Sequence, residues 1–439
     1  DRIDDHLAEL AHHYSRSADT RKAVEYLFRA GKQATARSAN SEAVSRFSSA
    51  LEFLKHLPDD AARARQELAM LSALGGSLLH AKGWAAAELE PVHARARELC
   101  AQIRDPALAI RTLWLQWLFR YSRLELDKAM QLADELLATA KDTKDPAMLF
   151  AGNTAHGVIL LFLGELAPAS EHLEKALALF DLRQPLSAEL EARRLGGLFH
   201  LYLALYGLGY PDRAWAKSRE MMEVAQRSRV PFILAQVSSS VPEHHLLRGD
   251  NRTAQKCAEE AMRLSEKVGL VTFSATATTN HGAALIAQGR YEEGIAGMRR
   301  GISAKRASGG TTFPGVLCHL AIGLGKIARP EEGLQVLEEG FASAAKSGEQ
   351  LSSPWLHRAK GEVLLAQNPS DVAEAERCFR TAIEIARRQS ARSAELRATT
   401  SLAQLLARQG RRDEAHRMLA DIYGWFTEGF DTADLKDAK

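Results

Sequence analysis

Apolar residues recur along almost the whole chain at the spacing of amphipathic helices. Leu173, Ala176, Leu177 and Phe180, for example, occupy positions i, i+3, i+4 and i+7, which places them on one face of a helix. Runs of Val, Ile, Thr and Tyr that alternate with polar residues, the pattern of a half-buried strand, are nearly absent. The pattern therefore predicts an all-α chain without a sheet.

A second regularity links neighbouring helices. A small residue is followed after 12, 4 and 3 residues by a small, a large and a further small or apolar residue, as in Gly157, Ala169, Leu173 and Ala176. Small residues at facing positions let two helices approach closely, and the large residue between them fills the remaining gap. The spacing recurs at Gly31, Ala43, Phe47 and Ala50, at Gly282, Gly294, Met298 and Gly301, at Ala321, Gly333, Leu337 and Gly340, and at Ala403, Ala415, Leu419 and Ile422.

Turn residues mark the period of these pairs. We expect the turns between paired helices at Gly83, Leu124, Gly164, Gly209, Gly249, Gly289, Arg329, Asn368 and Gly410. Successive turns are mostly 40 to 45 residues apart, which predicts about eleven helix pairs in 439 residues. Because each pair alone leaves apolar surface open, stacking of the pairs would bury it.

The framework Gly-x11-Ala-x3-Phe-x2-Ala resembles the tetratricopeptide repeat, and the resemblance covers nearly the whole chain. It implies a right-handed superhelix, or α-solenoid, in which the first helix of each pair lines a concave groove that binds a protein or peptide. The chain departs from this family in its period, because the usual unit has about 34 residues. The longer unit leaves the superhelical pitch and the groove width open.

Short segments at both ends of the chain carry a more specific resemblance. They are residues 7–14 (LAELAHHY), 23–27 (AVEYL), 29–31 (RAG), 37–40 (RSAN), 42–43 (EA) and 422–432 (IYGWFTEGFDT). These segments resemble the repeat regions of bacterial signal-transducing ATPases, which are often fused to a class III adenylyl cyclase or a kinase. It implies a nucleotide-binding part before residue 1, and the chain begins with Asp rather than Met. The present chain would then be a sensor or scaffold arm that contacts the ATPase domain or self-associates.

Strong internal boundaries are not visible in the sequence. We expect repeats over residues 1–302, and continuing repeats with a C-terminal capping segment over residues 303–439. The expected joint is residues 303–314, where a Lys, Arg, Ser and Gly-rich stretch interrupts the pattern; one continuous domain is the alternative. Because a repeat array needs a cap over its exposed last face, we expect that cap from Tyr423, Trp425, Phe426 and Phe430.

Composition excludes several classes of partner. The chain has 57 Lys and Arg against 55 Asp and Glu, a formal net charge of +2, and the two signs are interspersed, so we expect no nucleic-acid partner. No apolar run approaches the roughly 20 residues that span a membrane, so we expect no membrane contact. Four scattered cysteines without a C-x-x-C pair, and no signal peptide, predict reduced thiols in a cytoplasmic protein.

Motifs for catalysis or cofactor binding are not apparent. The string Gly323-Leu324-Gly325-Lys326 lacks the leading Gly and the hydroxyl residue of a phosphate-binding loop, and we expect its glycines to allow close helix packing. Adjacent histidines such as His244 and His245 point about 100° apart on a helix and do not converge on one ion. We therefore predict no catalytic residue, no metal and no cofactor, and a chain that is not an enzyme.

One kind of peptide site is disfavoured by the same comparison of repeats. Some tetratricopeptide repeats hold a peptide's terminal carboxylate with Lys and Asn, and one such Asn directly follows the small residue of a first helix. In this chain that position holds Lys32, Val158, Ala283, Ile322 and Glu362. A carboxylate clamp of that kind is therefore not supported.

Polar and aromatic residues on the first helices are the candidates for the concave groove, with ordinary packing as the alternative for each. They are Trp114, Trp117, Tyr121, Asn153, His156, His200, Tyr202, Tyr206, Asn280, His281, His319, His357 and Arg358. We predict a non-catalytic protein-interaction module. Two alternatives stay open: a small-molecule effector sensor that binds at the aromatic cluster around Trp114, and the arm of a transcriptional regulator whose DNA-binding domain lies elsewhere.

Overall fold

A computed structural model describes residues 6–37, 39–103, 105–180, 186–228, 230–368 and 372–439. In these residues it contains 22 helices and no β-strand, which confirms the predicted all-α class. In chain order the helices are α1 (Leu7–Tyr14), α2 (Thr20–Ala36), α3 (Asn40–Leu54), α4 (Ala61–Lys82), α5 (Leu89–Ile103), α6 (Pro106–Ser122), α7 (Leu126–Thr143), α8 (Pro146–Phe162), α9 (Leu166–Leu177), α10 (Ala188–Gly207), α11 (Pro211–Arg227), α12 (Pro231–Arg248), α13 (Asn251–Val268), α14 (Val271–Ala287), α15 (Tyr291–Ala307), α16 (Pro314–Lys326), α17 (Pro330–Ser347), α18 (Ser353–Gln367), α19 (Val372–Arg388), α20 (Arg392–Arg408), α21 (Arg412–Tyr423) and α22 (Ala433–Ala438).

The helices stack as consecutive pairs and form a solenoid. The predicted eleven pairs correspond to 22 helices, which is the number in the described residues. Twenty of these helices, α2 to α21, form ten pairs. The remaining two are single: α1 packs on α2, and α22 packs on α20 and α21. The even-numbered helices are the first helices of the pairs, and they contact both their partners and the first helices of neighbouring pairs. The first helices therefore form an inner layer, and the odd-numbered second helices form an outer layer.

Close approach within the pairs occurs at the small residues of the repeated spacing. A Cβ atom added to Gly361 would lie 2.6 Å from the ring of Phe379, and one added to Gly157 would lie 2.9 Å from Leu173. Both large residues are fully buried. The small residue is thus needed because the large residue of the second helix fills the space that a side chain would occupy.

Most turns between paired helices end the first helix with a residue in the left-handed region. Gly209 and Gly249, for example, have φ values of 91° and 82°, which glycine adopts without a steric cost. In the eighth pair the left-handed residue is Ala328, with φ of 57°, and the expected turn residue Arg329 is instead the N-cap of α17. The expected turn at Asn368 continues into residues 369–371, which lie outside the described residues.

The superhelix closes on itself along a line that we call the seam. Here the turns that follow α4, α6, α8, α10 and α12 pack against loops and helix starts from α15 onward. At the turn after α8, the backbone N–H of Gln350 donates to the carbonyl of Phe162 at 2.8 Å, and Gln389 Nε2 donates to the carbonyl of Gln350 at 2.8 Å. Pairs that are far apart in sequence are therefore neighbours in space.

Small apolar residues make the seam tight. Leu161 and Ala204 on the first helices pack against Ala386, Ala391 and Ala394 from the C-terminal pairs, and all five are buried. A side chain on Gly209 would lie 2.8 Å from Cβ of Arg392. The seam is thus a packed interface as well as a row of hydrogen bonds.

The expected joint at residues 303–314 contains the end of α15 and a loop that belongs to the seam. In this loop the Thr311 hydroxyl donates to the carbonyl of Arg123 at 3.3 Å, and Phe313 packs edge-to-face on Phe162 with ring centroids 5.1 Å apart. The division of the chain at this loop stays a prediction.

All four cysteines are free thiols. Within the described ranges, none of the helices combines the length and apolar character needed to cross a bilayer.

Candidate functional site

The inner layer presents charged side chains to the interior that the seam encloses. Glu243 on α12 interacts electrostatically with Tyr121 on α6 and with Lys305 at the end of α15. These helices belong to the third, sixth and seventh pairs, so Glu243 and Lys305 come from adjacent pairs and Tyr121 from a more distant one. We call this interior face of the first helices, together with Lys305, the inner surface.

Glu243 and Lys305 are half-buried and have lost part of their hydration without gaining a close partner. Burial raises the pKa of Glu243 to about 7, against the weaker effect of the Lys305 charge. Burial likewise lowers the pKa of Lys305, although Glu243 opposes this shift. Among the described residues, neither charged group has a hydrogen bond or an ion pair within 4.0 Å. Each group is therefore available to a counter-charge from outside the chain.

Tyr121, which interacts electrostatically with Glu243, belongs to a group of aromatic rings whose positions are fixed by hydrogen bonds and stacking. The Tyr121 hydroxyl lies 3.0 Å from His200 Nε2, and His200 Nδ1 lies 2.7 Å from the carbonyl of Gly196. Because Nδ1 must donate to the carbonyl, Nε2 accepts from the tyrosine. Burial lowers the pKa of His200 to about 4, so the imidazole is neutral. Tyr121 also stacks on Trp117 with ring centroids 5.3 Å apart and a 3° interplanar angle.

A second group of polar residues lies on α16, α18 and α20. His319 keeps solvent exposure, and a partial loss of hydration lowers its pKa, an effect to which the charges of Arg397 and Arg358 add. Arg358 is paired with Glu362, whose carboxylate also accepts from the Ser401 hydroxyl at 3.1 Å. This group is more basic than the region around Glu243, so the inner surface changes character along the array.

Several predicted groove residues lie in the core instead of on an open surface. Trp114 is 7% exposed, Trp117 2% and Tyr202 0%. The Tyr202 hydroxyl donates to the carbonyl of His244 at 3.1 Å, and its ring stacks on the His244 ring. Tyr206 is also buried and contacts the C-terminal segment through its hydroxyl, which lies 2.9 Å from Asp434 Oδ2. The aromatic cluster therefore acts mainly as packing.

Other predicted groove residues contact neighbouring helices, most of them in the outer layer. His156 Nε2 lies 3.0 Å from Asp134 on α7, and His281 Nε2 lies 3.3 Å from Glu259 on α13. Asn153 Oδ1 lies 3.0 Å from His172 Nδ1 on α9. His357 packs on Phe341 of α17 with ring centroids 4.9 Å apart, and Asn280 Nδ2 donates to the carbonyl of Ser239 on α12 at 3.2 Å. These residues join neighbouring helices and are not gathered into one site.

The groove prediction did not include Glu243, Lys305, Glu362 or Arg397. The register of the repeat holds a signal for the two carboxylates. Counting seven residues back from Gly249 reaches Pro242, the position of the small residue in other pairs, and Glu243 follows it as Glu362 follows Gly361. Lys305 and Arg397 lie outside this position. Lys305 is near the end of an outer-layer helix, and Arg397 crosses the seam to the Tyr206 hydroxyl and the Leu247 carbonyl.

Other chemistry is not favoured by the side chains. Within the ranges that the structure describes, no three His, Cys, Asp or Glu residues are grouped as a metal site would require. Gly323, in the string that was compared with a phosphate-binding loop, lies against the side chain of Ile286, where a Cβ atom would be 2.9 Å away. That glycine serves helix packing, as predicted.

Comparison with known sequences gives a distant relative and no family. No protein-family model matches the chain. An uncharacterized protein of Rhizobium meliloti (strain 1021) is 22% identical over 406 residues, which cover 90% of this chain and 39% of that protein. The chain thus spans well under half of the relative's length.

Solved helical-repeat structures resemble the chain at low sequence identity. A Rap protein complexed with competence and sporulation factor gives a TM-score of 0.58, at 12% identity over 82% of this chain and 97% of that chain. The Rap conjugation gene regulator of plasmid pLS20, in complex with a Phr peptide, gives a TM-score of 0.50, at 13% identity over 82% of this chain and 94% of that chain. These two likenesses show a shared helical-repeat fold. A signal-transduction ATPase with a tetratricopeptide repeat sensor from Pyrococcus horikoshii gives a TM-score of 0.45, at 15% identity over 85% of this chain and 54% of that chain.

Proposed function

We propose that this chain is a non-catalytic interaction module that binds a protein or peptide segment on the inner surface. The observation that carries the proposal is the pair Glu243 and Lys305, both charged groups without a close partner among the described residues. Charged groups that lose hydration without a counter-charge cost folding free energy. A ligand with a donor for Glu243 and an acceptor for Lys305 would remove that cost, and an extended peptide carries both kinds of group.

The shared fold supports a ligand of this kind. One of the similar structures is a Rap regulator in complex with a Phr peptide, and another is a Rap protein complexed with competence and sporulation factor. Both likenesses cover 82% of this chain. A solenoid of this length is therefore compatible with a bound peptide, and the charges on the inner surface supply the contacts for one.

The proposal also places the chain in a longer protein. The relative from Rhizobium meliloti extends well beyond the matched region, since only 39% of it is covered. The segments at 7–14 and 422–432 resemble the repeat regions of bacterial signal-transducing ATPases. The chain would be the sensor or scaffold arm of such a cytoplasmic ATPase, and ligand binding would alter its contact with the ATPase domain or its self-association.

Selection from a random peptide library tests the binding site. Peptides enriched on the wild-type chain are expected to lose at least about tenfold in affinity for the variant Glu243→Gln/Lys305→Met, because each loses a charge-assisted contact. The matched control is Glu338→Gln/Lys346→Met, which makes the same charge changes at exposed positions of α17. If the enriched peptides bind the Glu243→Gln/Lys305→Met variant as tightly as they bind wild type, a peptide site on the inner surface is refuted. A selection that enriches no peptide refutes it as well.

ATP turnover of the longer natural protein tests the sensor role. The Glu243→Gln/Lys305→Met change is expected to abolish the response of turnover to an enriched peptide while leaving basal turnover unchanged. The Glu338→Gln/Lys346→Met control is expected to keep the response. A natural protein without an ATPase domain, or with turnover that ignores the arm, would contradict the signalling role and leave the peptide site standing.

A further inference from the structure

The last residues of the chain cross the seam and return to the middle of the array. We call residues 424–439 the strap. The strap begins after α21 on the last pair, where Phe426 and Leu435 are buried against Leu396 and Ile422. From that base it reaches α10, α11 and α12. It therefore joins two parts of the superhelix that lie about 200 residues apart in sequence.

Charged groups dominate the far contacts of the strap. Arg248 at the end of α12 donates to both oxygens of Asp431, at 2.9 and 2.8 Å. Asp434 lies 2.9 Å from the Tyr206 hydroxyl on α10 and also accepts from Arg397 Nε on α20 at 2.6 Å. Arg397 itself crosses the seam and donates to the carbonyl of Leu247 at 2.6 Å. Charge-assisted hydrogen bonds of this kind are stronger than bonds between neutral groups.

The middle of the strap contacts the N-terminus of α11. The Glu428 carboxylate accepts from the backbone N–H groups of Asp212 and Arg213, at 2.9 and 3.1 Å. The N-cap residue of α11, Tyr210, provides no side-chain cap of its own. In return, the Gly429 N–H donates to the Asp212 carboxylate at 2.9 Å. The strap thus supplies the cap that the local sequence of α11 lacks.

Trp425 stands where the two sides of the seam meet. Its ring lies 5.6 Å from the Tyr210 ring, and the Arg392 guanidinium lies 5.2 Å from the Trp425 centroid. The strap is consequently anchored by apolar burial on the last pair and by polar contacts on α10 to α12. The polar half of the strap, residues 428–434, lies between the buried Phe426 and Leu435 and is exposed in part, since the Asp431 side chain is 69% exposed. An ion pair with that exposure is individually weak, so the contacts of residues 428–431 with α11 and α12 can be released without loss of the apolar contacts.

We infer that the strap is a releasable latch, which holds the C-terminal end of the seam shut and limits access to the inner surface. When these strap contacts break, the end of the seam keeps the small apolar contacts, the hydrogen bond from the Ser393 hydroxyl to the Tyr206 carbonyl, and the hydrogen bonds from Arg397 to the Leu247 carbonyl and the Tyr206 hydroxyl. Fewer contacts then hold the last two pairs to α10 and α12, so transient separation of the two sides becomes more frequent. The role of this opening in ligand entry rests on the proposed function, but the opening itself does not.

Access of thiol reagents to the interior of the full chain tests the latch. A reporter cysteine is introduced by His319→Cys on the exposed inner position, with Cys257→Ser to remove the half-buried native thiol. The latch variant Glu428→Lys/Asp431→Lys places like charges beside Arg213 and Arg248. It is expected to react about tenfold faster than the parent with a polyethylene-glycol maleimide, because transient opening admits the large reagent. The rate with the small N-ethylmaleimide is expected to stay within about twofold.

The matched control is Asp421→Lys/Asp437→Lys, the same change of charge at two exposed positions, one on α21 before the strap and one at the end of the strap away from its contacts with α11 and α12. It is expected to react like the parent. Equal acceleration in the control, or none in the latch variant, overturns the latch. The latch is also overturned if the reactions with the large and the small maleimide accelerate by the same factor, because local unfolding around the cysteine would admit both reagents alike. None of these outcomes uses a ligand, so failure of the latch and failure of the peptide site are separate results.

Discussion

At the scale of the residue, Glu243 combines burial with the lack of a close counter-charge. The nearest opposite charge that affects it is Lys305, and this effect is smaller than the loss of hydration, so the pKa of Glu243 is raised to about 7. Burial also raises the pKa of Glu349 to about 7, although hydrogen bonds such as the one from the Ser352 N–H, at 2.7 Å, lower it. Only Glu243 faces the inner surface, where a ligand can reach it.

This raised pKa makes folding stability depend on pH. The unfolded chain ionises Glu243 near the ordinary pKa of 4.5, whereas the folded chain keeps the proton up to about pH 7. The folded state therefore loses stability as the pH rises from about 4.5 to about 7, and the loss persists at higher pH. We expect Glu243→Gln to be more stable than wild type at about pH 8, by ~1–3 kcal/mol after allowance for partial exposure.

Thermal unfolding at several pH values measures this effect. The gain of Glu243→Gln over wild type is expected to shrink as the pH approaches 4.5, because both states of the wild-type chain then hold the proton. Glu338→Gln, at an exposed position of α17, is the control and is expected to show no such trend. A variant that is less stable than wild type above pH 7 would mean that Glu243 has an unseen partner.

At the scale of the helix pair, the repeated spacing acts through steric fit. The ring of fully buried Phe379 lies against Gly361, so Gly361→Ala is expected to destabilise the ninth pair by ~1–3 kcal/mol through overpacking. Gly76 in α4 is the matched control, because a Cβ atom there would meet nothing within 4 Å. Gly76→Ala is expected to stabilise by up to ~1 kcal/mol through helix propensity. Differential scanning calorimetry checks the opposite signs, and equal shifts would contradict the steric account.

The helix pairs could be predicted because their determinants are local. Gly157 and Leu173 are close in sequence and meet across one turn, so spacing alone reveals their contact. Glu243 was missed since Pro242 replaces the small residue and hides the register. Lys305 could not be assigned because it lies near the end of an outer-layer helix, nor could Arg397, whose contacts cross the seam to a distant pair. Buried Trp117 and Tyr202 show the converse, since a polar or aromatic residue on a first helix does not by itself reveal exposure.

At the scale of the whole molecule, the seam decides which surface is accessible. It arises from small rotations that accumulate from pair to pair, so no single sequence motif encodes it. The tail residues Trp425 and Phe426 were expected to cap the last pair. Phe426 packs there, whereas Trp425 also reaches Tyr210 across the seam. The chain thus uses one short segment both to cover its last pair and to join it to the middle of the array.

Two turn glycines allow the effect of the seam contacts on stability to be distinguished from the effect of backbone strain. Gly209 and Gly410 have φ values of 91° and 82°, so alanine at either position costs about 1 kcal/mol or more of conformational strain. At Gly209 a Cβ atom would also lie 2.5 Å from Trp425 and 2.8 Å from Arg392, whereas at Gly410 it would meet nothing within 4 Å. We expect both variants to melt at lower temperature than wild type.

Only Gly209→Ala is then expected to open the molecule, because its new methyl group pushes the strap and α20 away from α10. Small-angle X-ray scattering should give a larger radius of gyration for Gly209→Ala than for wild type, and an unchanged one for Gly410→Ala. Hydrogen exchange should rise at the amides of Gly429 and of Asp212, which donate across the seam in the closed molecule. Equal radii for the two variants would mean that the seam yields locally and does not hold the superhelix closed.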